Sequence, residues 1–286
     1  MRPPVTTKDP TAVEVEVQAA YLSMFPRGDL LFVPRAFGWV IECFTGNYRD
    51  YQAIDARYHD LEHTLQGTLC MAQLLQARHH AQTTPRLTNS YFELGILAIL
   101  MHDIGYLKKR EDRKGTGAKY TATHVLRSAE FAAELLAEKG YDEPQIRAVQ
   151  NMICCTGINA NLESIPFQNE VEKITGSALA TADLLGQMAA GDYVDKLPIL
   201  YEEFAEAAKF SNEGSNFLGD FTSADDLMRK TPVFWDNYVL PRLERDFLGL
   251  YRFLNNPYPS GPNPYLRRVE ANMNRIKQQL TASQAQ

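Results

Sequence analysis

The sequence has no run of 18 apolar residues, and its first stretch, Met1-Arg2-Pro3-Pro4-Val5-Thr6-Thr7-Lys8-Asp9, is not apolar. A helix needs about 20 apolar residues to cross a bilayer, and a secretory leader needs an apolar centre, so neither a membrane span nor a signal peptide is expected. Positive charge is also short. A net charge of −6 argues against a general nucleic-acid surface, although local basic clusters remain open. Cysteine is scarce, with Cys43, Cys70, Cys154 and Cys155 making up the whole set. None forms a C-x-x-C pair, and the adjacent Cys154 and Cys155 would make a strained disulfide. Reduced, buried thiols and a cytoplasmic location are the expectation. No β-alternation and no internal repeat is visible. No histidine follows His124.

What is present points to helices. The hydrophobic content of 45% over 286 residues supports a full core. Apolar residues recur at helical spacing over Thr11 to Phe25, with Thr11 as a candidate N-cap. Further helices are predicted over Arg35 to Thr45, Leu61 to Arg78, Ser90 to Asp103, Thr121 or Thr123 to Lys139, Pro144 to Cys155, Glu170 to Ala190 and Asp192 to Lys209. Asp60 reads as the N-cap of the helix from Leu61, and His79-His80 as polar residues at its C-terminal end. A Ser-, Asn- and Gly-rich loop is expected over 211–220. Ala224 to Asn255 reads as a helix interrupted near Pro232 or Pro241. A last helix is expected over Tyr265 to Leu280, with Thr281 to Gln286 as a tail. The fold class expected is all-α.

The stretch with most chemical content is Leu94-Gly95-Ile96-Leu97-Ala98-Ile99-Leu100-Met101-His102-Asp103-Ile104-Gly105-Tyr106. Seven of the eight residues from Leu94 to Met101 are apolar, and then a histidine and an aspartate arrive side by side. Burying a carboxylate there is costly without ionic compensation. Imidazole and carboxylate together are good ligands for a first-row metal. A lone His-Asp pair favours a helix cap instead, so the metal reading depends on other ligands.

Such residues occur in order. Tyr58-His59-Asp60-Leu61-Glu62-His63 opens one helix, His124 lies in the helix after His102-Asp103, and Asp183 is a lone acid inside the apolar segment Ser177 to Leu185. In this order the sequence resembles the HD superfamily of metal-dependent phosphohydrolases. His63, His102, Asp103 and Asp183 match that family's four defining ligands, and the resemblance covers residues 35–190. The Tyr-His-x-x-x-His form of the first motif is similar to that of cyclic nucleotide phosphodiesterases.

The resemblance implies an HD-like helical bundle in one domain. An N-terminal segment and helix would cover 1–34, the metal-binding core 35–190, and a C-terminal helical extension packed on the core 191–286. It also implies a divalent metal cofactor; Mn, Fe, Mg, Co and Zn all suit a mixed nitrogen and oxygen site. Asp103 would be catalytic as well as a ligand. His59 stands at the general-acid position of the phosphodiesterase motif, with a surface histidine as the competing reading. His124 would ligate a second metal or contact phosphate. Gln187, four residues after Asp183, would orient that ligand or the substrate, with a surface amide equally open.

The segment Lys108 to Lys119 holds six basic residues, two acids and two glycines. It reads either as a solvated loop or as a flexible cationic loop at the mouth of the site, with Lys108, Lys109 and Lys119 holding phosphate oxygens. Relatives with a full di-iron centre, the mixed-valent oxygenases and cyclic-di-nucleotide hydrolases, use further histidines before the last Asp. This chain has Met152-Ile153-Cys154-Cys155 there instead, which disfavours those readings. The function expected is hydrolysis of a phosphomonoester or phosphodiester, with a nucleotide among the candidate substrates. A non-catalytic nucleotide-binding module and, more remotely, a metal oxygenase are the alternatives. The partners expected are that small phosphorylated substrate and a second copy of the chain in a homodimer, without a membrane.

Overall fold

The computed structural model describes residues 5–210 and 221–284. Among them the chain is all-helical and forms one domain, with a single isolated antiparallel bridge between Tyr51 and Lys109. The predicted loop over 211–220 lies outside the described residues. No helix among those described is long and apolar enough to cross a membrane. Cys43, Cys70 and Cys155 are buried free thiols, and Cys154 is half-buried rather than buried.

Ten α-helices follow in order. They are α1 (Pro10–Met24), α2 (Phe32–Phe44), α3 (Leu61–His80), α4 (Asn89–Met101), α5 (His124–Glu138), α6 (Glu143–Ile153), α7 (Glu170–Met188), α8 (Tyr193–Phe210), α9 (Ala224–Phe234) and α10 (Pro264–Gln284). Most begin at a side-chain cap that satisfies a free backbone N–H. The Asp60 carboxylate accepts from His63 N at 2.8 Å and starts α3. Thr88 caps α4, and Asn169 caps α7. Asp142 and Gln145 form a reciprocal capping box on α6. The cap of α1 is Asp9, not Thr11; Thr11 supplies the N–H that Asp9 accepts at 3.0 Å.

Helices α3, α4 and α7 form the centre, with α1 and α2 on one side and α5 and α6 on another. In α4, Leu94, Ile96, Leu97, Ile99, Leu100 and Met101 are all buried. Burying six such side chains contributes on the order of 10 kcal/mol. That is enough to carry the several kcal/mol that each buried charge at the end of the helix costs. Helices α3 and α7 cross closely because Gly186 has no side chain. A Cβ on Gly186 would stand 2.8 Å from the Gln66 carbonyl. This close crossing brings His63 of α3 level with Asp183 of α7.

Three element boundaries differ from expectation. Helix α2 begins at Phe32, three residues before Arg35. The segment after α9 is not cut at Pro232 or Pro241. Pro232 lies inside α9, and wide π-turns at Trp235–Val239 and Arg242–Asp246 continue the coil. Proline lacks an N–H and crowds the carbonyl four residues back, so a wider turn absorbs it. The coil ends at Leu248 and Gly249, where φ is +61° and +64°. Finally, α10 runs on to Gln284, so residues 281–284 are helix and not tail.

Candidate metal centre

Four side chains from three parts of the chain meet in the core. His63 comes from the first turn of α3, His102 caps the C-terminal end of α4, Asp103 follows it, and Asp183 lies in the second half of α7. His63 Nε2 is 3.1 Å from Asp103 Oδ2 and 3.3 Å from Asp183 Oδ1. His102 Nε2 is 3.2 Å and 3.4 Å from the same two oxygens. All four residues are buried. Donor atoms sharing one ion at about 2.1 Å stand roughly 3.0–3.4 Å apart, so this spacing suits an ion. The hydrogen bonds are also informative. His102 Nδ1 donates to the Ile99 carbonyl at 2.7 Å, which leaves Nε2 to face the cluster. Yet His102 Nε2 and Asp103 Oδ2 are buried with no hydrogen-bond partner. The two atoms converge on a common point instead of on each other. His63, His102 and Asp103 offer ligand atoms within 4.8 Å of one another, and Asp183 closes the group from the far side.

The protonation equilibria follow from this packing. Burial alone would push His63 down, but the neighbouring carboxylates of Asp103 and Asp183 together carry it up to about 9. His102 is likewise raised well above the usual imidazole range against the cost of burial. Burial would raise Asp103 and Asp183, but the His102 and His63 imidazoles together outweigh it and both are lowered. Without an ion, the cluster balances two imidazolium groups against two carboxylates. A dication would replace those two protons.

His124 opens α5 on the other side of Asp103. Its Nδ1 donates to Thr121 O at 2.7 Å, and its Nε2 is 3.6 Å from Asp103 Oδ1. Asp103 thus faces the His63–His102 pair with one oxygen and His124 with the other. Burial pushes His124 below its ordinary value despite Asp103, so the ring is a neutral donor. His124 comes this close because Gly105 has no Cβ; one would stand 2.1 Å from the His124 carbonyl.

His59 lies before the cap of α3, so it is not one helical turn below His63, as its spacing implied. Its ring still comes within 5.4 Å of the His63 ring, centroid to centroid. His59 Nδ1 is 2.6 Å from Glu203 Oε2, and the other Glu203 oxygen accepts from Tyr58 N at 2.7 Å. Glu203 is buried, and the His59 charge and these hydrogen bonds lower its pKa against the burial that would raise it. Glu203 was not among the residues singled out from the sequence. It stands beside Glu202 and near Glu206 on α8, and nothing in that run marks one acid as buried.

Gln187 bridges two site residues. Its carbonyl accepts from the Tyr58 hydroxyl at 2.8 Å, and its amide faces Asp183 Oδ1 at 3.3 Å. Gln187 is half-buried and joins Tyr58 to Asp183. The three lysines are placed differently from the free cationic loop expected of them. Lys108 is buried and bonds Asp55 and the Gly115 carbonyl, both below 2.9 Å. Lys119 pairs with Asp112 and the Lys114 carbonyl. Lys109 lies 3.9 Å above the Tyr51 ring. Glu206 of α8 holds Thr116, and Asp55 accepts from Gly117 N at 2.7 Å, so the loop is pinned near its C-terminal end. Another lysine, Lys196, is within 3.6 Å of Asp60, Glu62 and Asp192 and lines a small cleft with Tyr58, His63 and Gln187. A roomier cleft of about 510 Å³ lies elsewhere, beside Ala77 and Tyr265, and no carboxylate lines it.

Residues 43–252 match the model of the Npun_R2479-like family, nearly three quarters of the chain. The chain belongs to that family. The matched stretch contains every residue of the cluster, together with His59, His124 and Glu203. No curated protein matches the chain.

Proposed function

We propose that the chain is a metal-dependent phosphohydrolase of the HD type, cleaving a phosphomonoester or phosphodiester, with a nucleotide as a candidate substrate. The observation that carries this reading is the convergence of His63, His102, Asp103 and Asp183, with His102 Nε2 and Asp103 Oδ2 buried and unpartnered. These four residues would hold one divalent ion, and His124 with the second Asp103 oxygen offers part of a neighbouring site. A bound ion would supply an acidified water and offset charge building on the phosphoryl oxygens.

The rest is done by the protein. His59 stands at the edge of the cluster, 14% exposed, with Nδ1 held by Glu203. That leaves Nε2 to carry a proton to the departing oxygen, with the Glu203 contact holding the ring in place. The Tyr58–Gln187 relay keeps Asp183 turned toward the two imidazoles. Burial of the cluster excludes bulk water, which strengthens each of these interactions.

A second reading, a nucleotide-binding module without turnover, would rest on the same cluster, and the internally paired Lys108 and Lys119 favour neither reading. A phosphate-release screen over a nucleotide panel, run beside calorimetric binding on the same metal-loaded protein, separates the two. Release supports the hydrolase. Binding without release supports the module, and neither result with a loaded centre contradicts both.

A further inference from the structure

Tyr106 is fully buried and touches both imidazoles at the edge of the cluster. Its ring centroid is 4.7 Å from that of His59 and 4.8 Å from that of His124, each at an interplanar angle of 18°. The two imidazoles are themselves 6.0 Å apart. Rings stacked on opposite faces of a third would stand about 7 Å apart, twice a carbon contact distance. The shorter spacing puts both imidazoles on the same face of Tyr106, side by side. We propose that Tyr106 is a positioning residue, a platform that fixes the planes of His59 and His124 and so sets where the His59 proton can go.

The surrounding chain is shaped for this. Two glycines let other segments close on the backbone here. A Cβ on Gly105 would strike the His124 carbonyl, and one on Gly117 would stand 2.4 Å from the Tyr106 carbonyl. The Tyr106 hydroxyl lies by Thr121 without a formed hydrogen bond, so the contact is carried by the ring. His59 needs such a contact. It precedes the helix, and its one side-chain hydrogen bond, through Nδ1 to Glu203, leaves the ring free to turn about that bond. Stacking on Tyr106 removes this freedom.

The test has a spectroscopic arm and a kinetic arm, and only the kinetic arm rests on the phosphohydrolase reading. With six histidines in the chain, selective histidine labelling gives a short NMR spectrum, assigned by single His→Ala variants. The C–H signals of His59 and His124 should be shifted upfield by the Tyr106 ring in the wild type and in Tyr106→Phe, and should return to ordinary positions in Tyr106→Leu. If Tyr106→Leu does not fold, Tyr106→Met, which is unbranched and adaptable, makes the same comparison. Kinetically, Tyr106→Leu should lower kcat on an alkyl phosphoester by on the order of 10²-fold at unchanged KM and metal content, the scale of a small misplacement of a catalytic group. Tyr106→Phe should restore it. Adding Tyr106→Leu to His59→Ala should cost far less than adding it to the wild type, because most of the platform's effect on the proton runs through His59. Unshifted imidazole signals in the wild type, a Tyr106→Phe variant as impaired as Tyr106→Leu, or losses that multiply in the double variant would each overturn the proposal. If the metal-loaded wild type cleaves no phosphoester, the phosphohydrolase reading falls and the spectrum alone decides the platform.

Discussion

His102 Nε2 and Asp103 Oδ2 stand 3.2 Å apart, both buried, yet form no hydrogen bond. Neighbouring residues on one backbone turn cannot easily point their side chains at each other, but they can point them at a third atom. An unsatisfied buried polar atom costs about 1–3 kcal/mol. Under the proposed reading, an ion between them and the opposing His63 and Asp183 would satisfy both.

Stability of the metal-free protein should fall as pH rises from about 6.5 to about 9. His63 is carried up to about 9 in the folded protein by Asp103 and Asp183, whereas an unfolded histidine titrates near 6.5. Its contribution is therefore complete below about 6.5 and is lost as pH rises through about 9. Ion binding requires the neutral ring, so stabilisation by added metal should grow over the same interval. Thermal unfolding with and without metal from pH 6 to 9.5 checks both slopes. A metal-free melting temperature that is flat or rising across that range would contradict the charge balance described.

His59→Ala should lower kcat by roughly 10²- to 10⁴-fold while leaving metal content intact. The loss should shrink for a nitrophenyl ester, whose departing oxygen needs no proton. Steady-state kinetics on nitrophenyl and alkyl esters, with elemental analysis of the variant, reads both. Equal losses on the two esters would remove the proton-donor role.

Glu203→Gln keeps the size of the side chain but removes its charge. It should lower kcat on the alkyl ester by about tenfold or more while sparing the nitrophenyl ester, because His59 then loses the charged partner that orients Nε2 toward the departing oxygen. Glu203→Ala should in addition lower stability by about 1–3 kcal/mol, since Tyr58 N loses its buried acceptor. Denaturant unfolding distinguishes the two variants.

Much of this arrangement is visible in the sequence, for a stated reason. His102 and Asp103 directly follow an apolar helix and Asp183 lies inside one, and a polar residue in such a place stands out. The all-α class follows from the same periodicity. Glu203 does not stand out, because it sits among other acids on a half-exposed helix and its burial is decided by how α8 lies over Tyr58 and His59. The charge run from Lys108 to Lys119 misleads in the opposite direction. Its lysines look free, but Asp55 lies more than 50 residues away in sequence and meets Lys108 only in the fold. Tyr106 carries no signal beyond its place after the His-Asp pair. Its role depends on two rings brought to it from other segments.

Gly186→Ala should reduce stability by about 1–3 kcal/mol, the usual cost of forcing extra volume into a packed contact. The added carbon would meet the Gln66 backbone at 2.8 Å, so α3 and α7 must move apart. Metal affinity should weaken with stability, because that shift separates His63 from Asp183. A variant with unchanged unfolding and unchanged affinity would show that the two helices have room to spare.

The decisive measurement is the metal content of the purified chain after reconstitution with Mn, Fe, Mg, Co or Zn and removal of excess ion, compared with His63→Ala and Asp183→Asn. At least one ion per chain in the wild type, and its loss in both variants while the helical spectrum is preserved, is the result expected. A wild-type chain that retains no ion, or variants that retain as much as the wild type, would contradict the assignment of His63, His102, Asp103 and Asp183 as a metal centre.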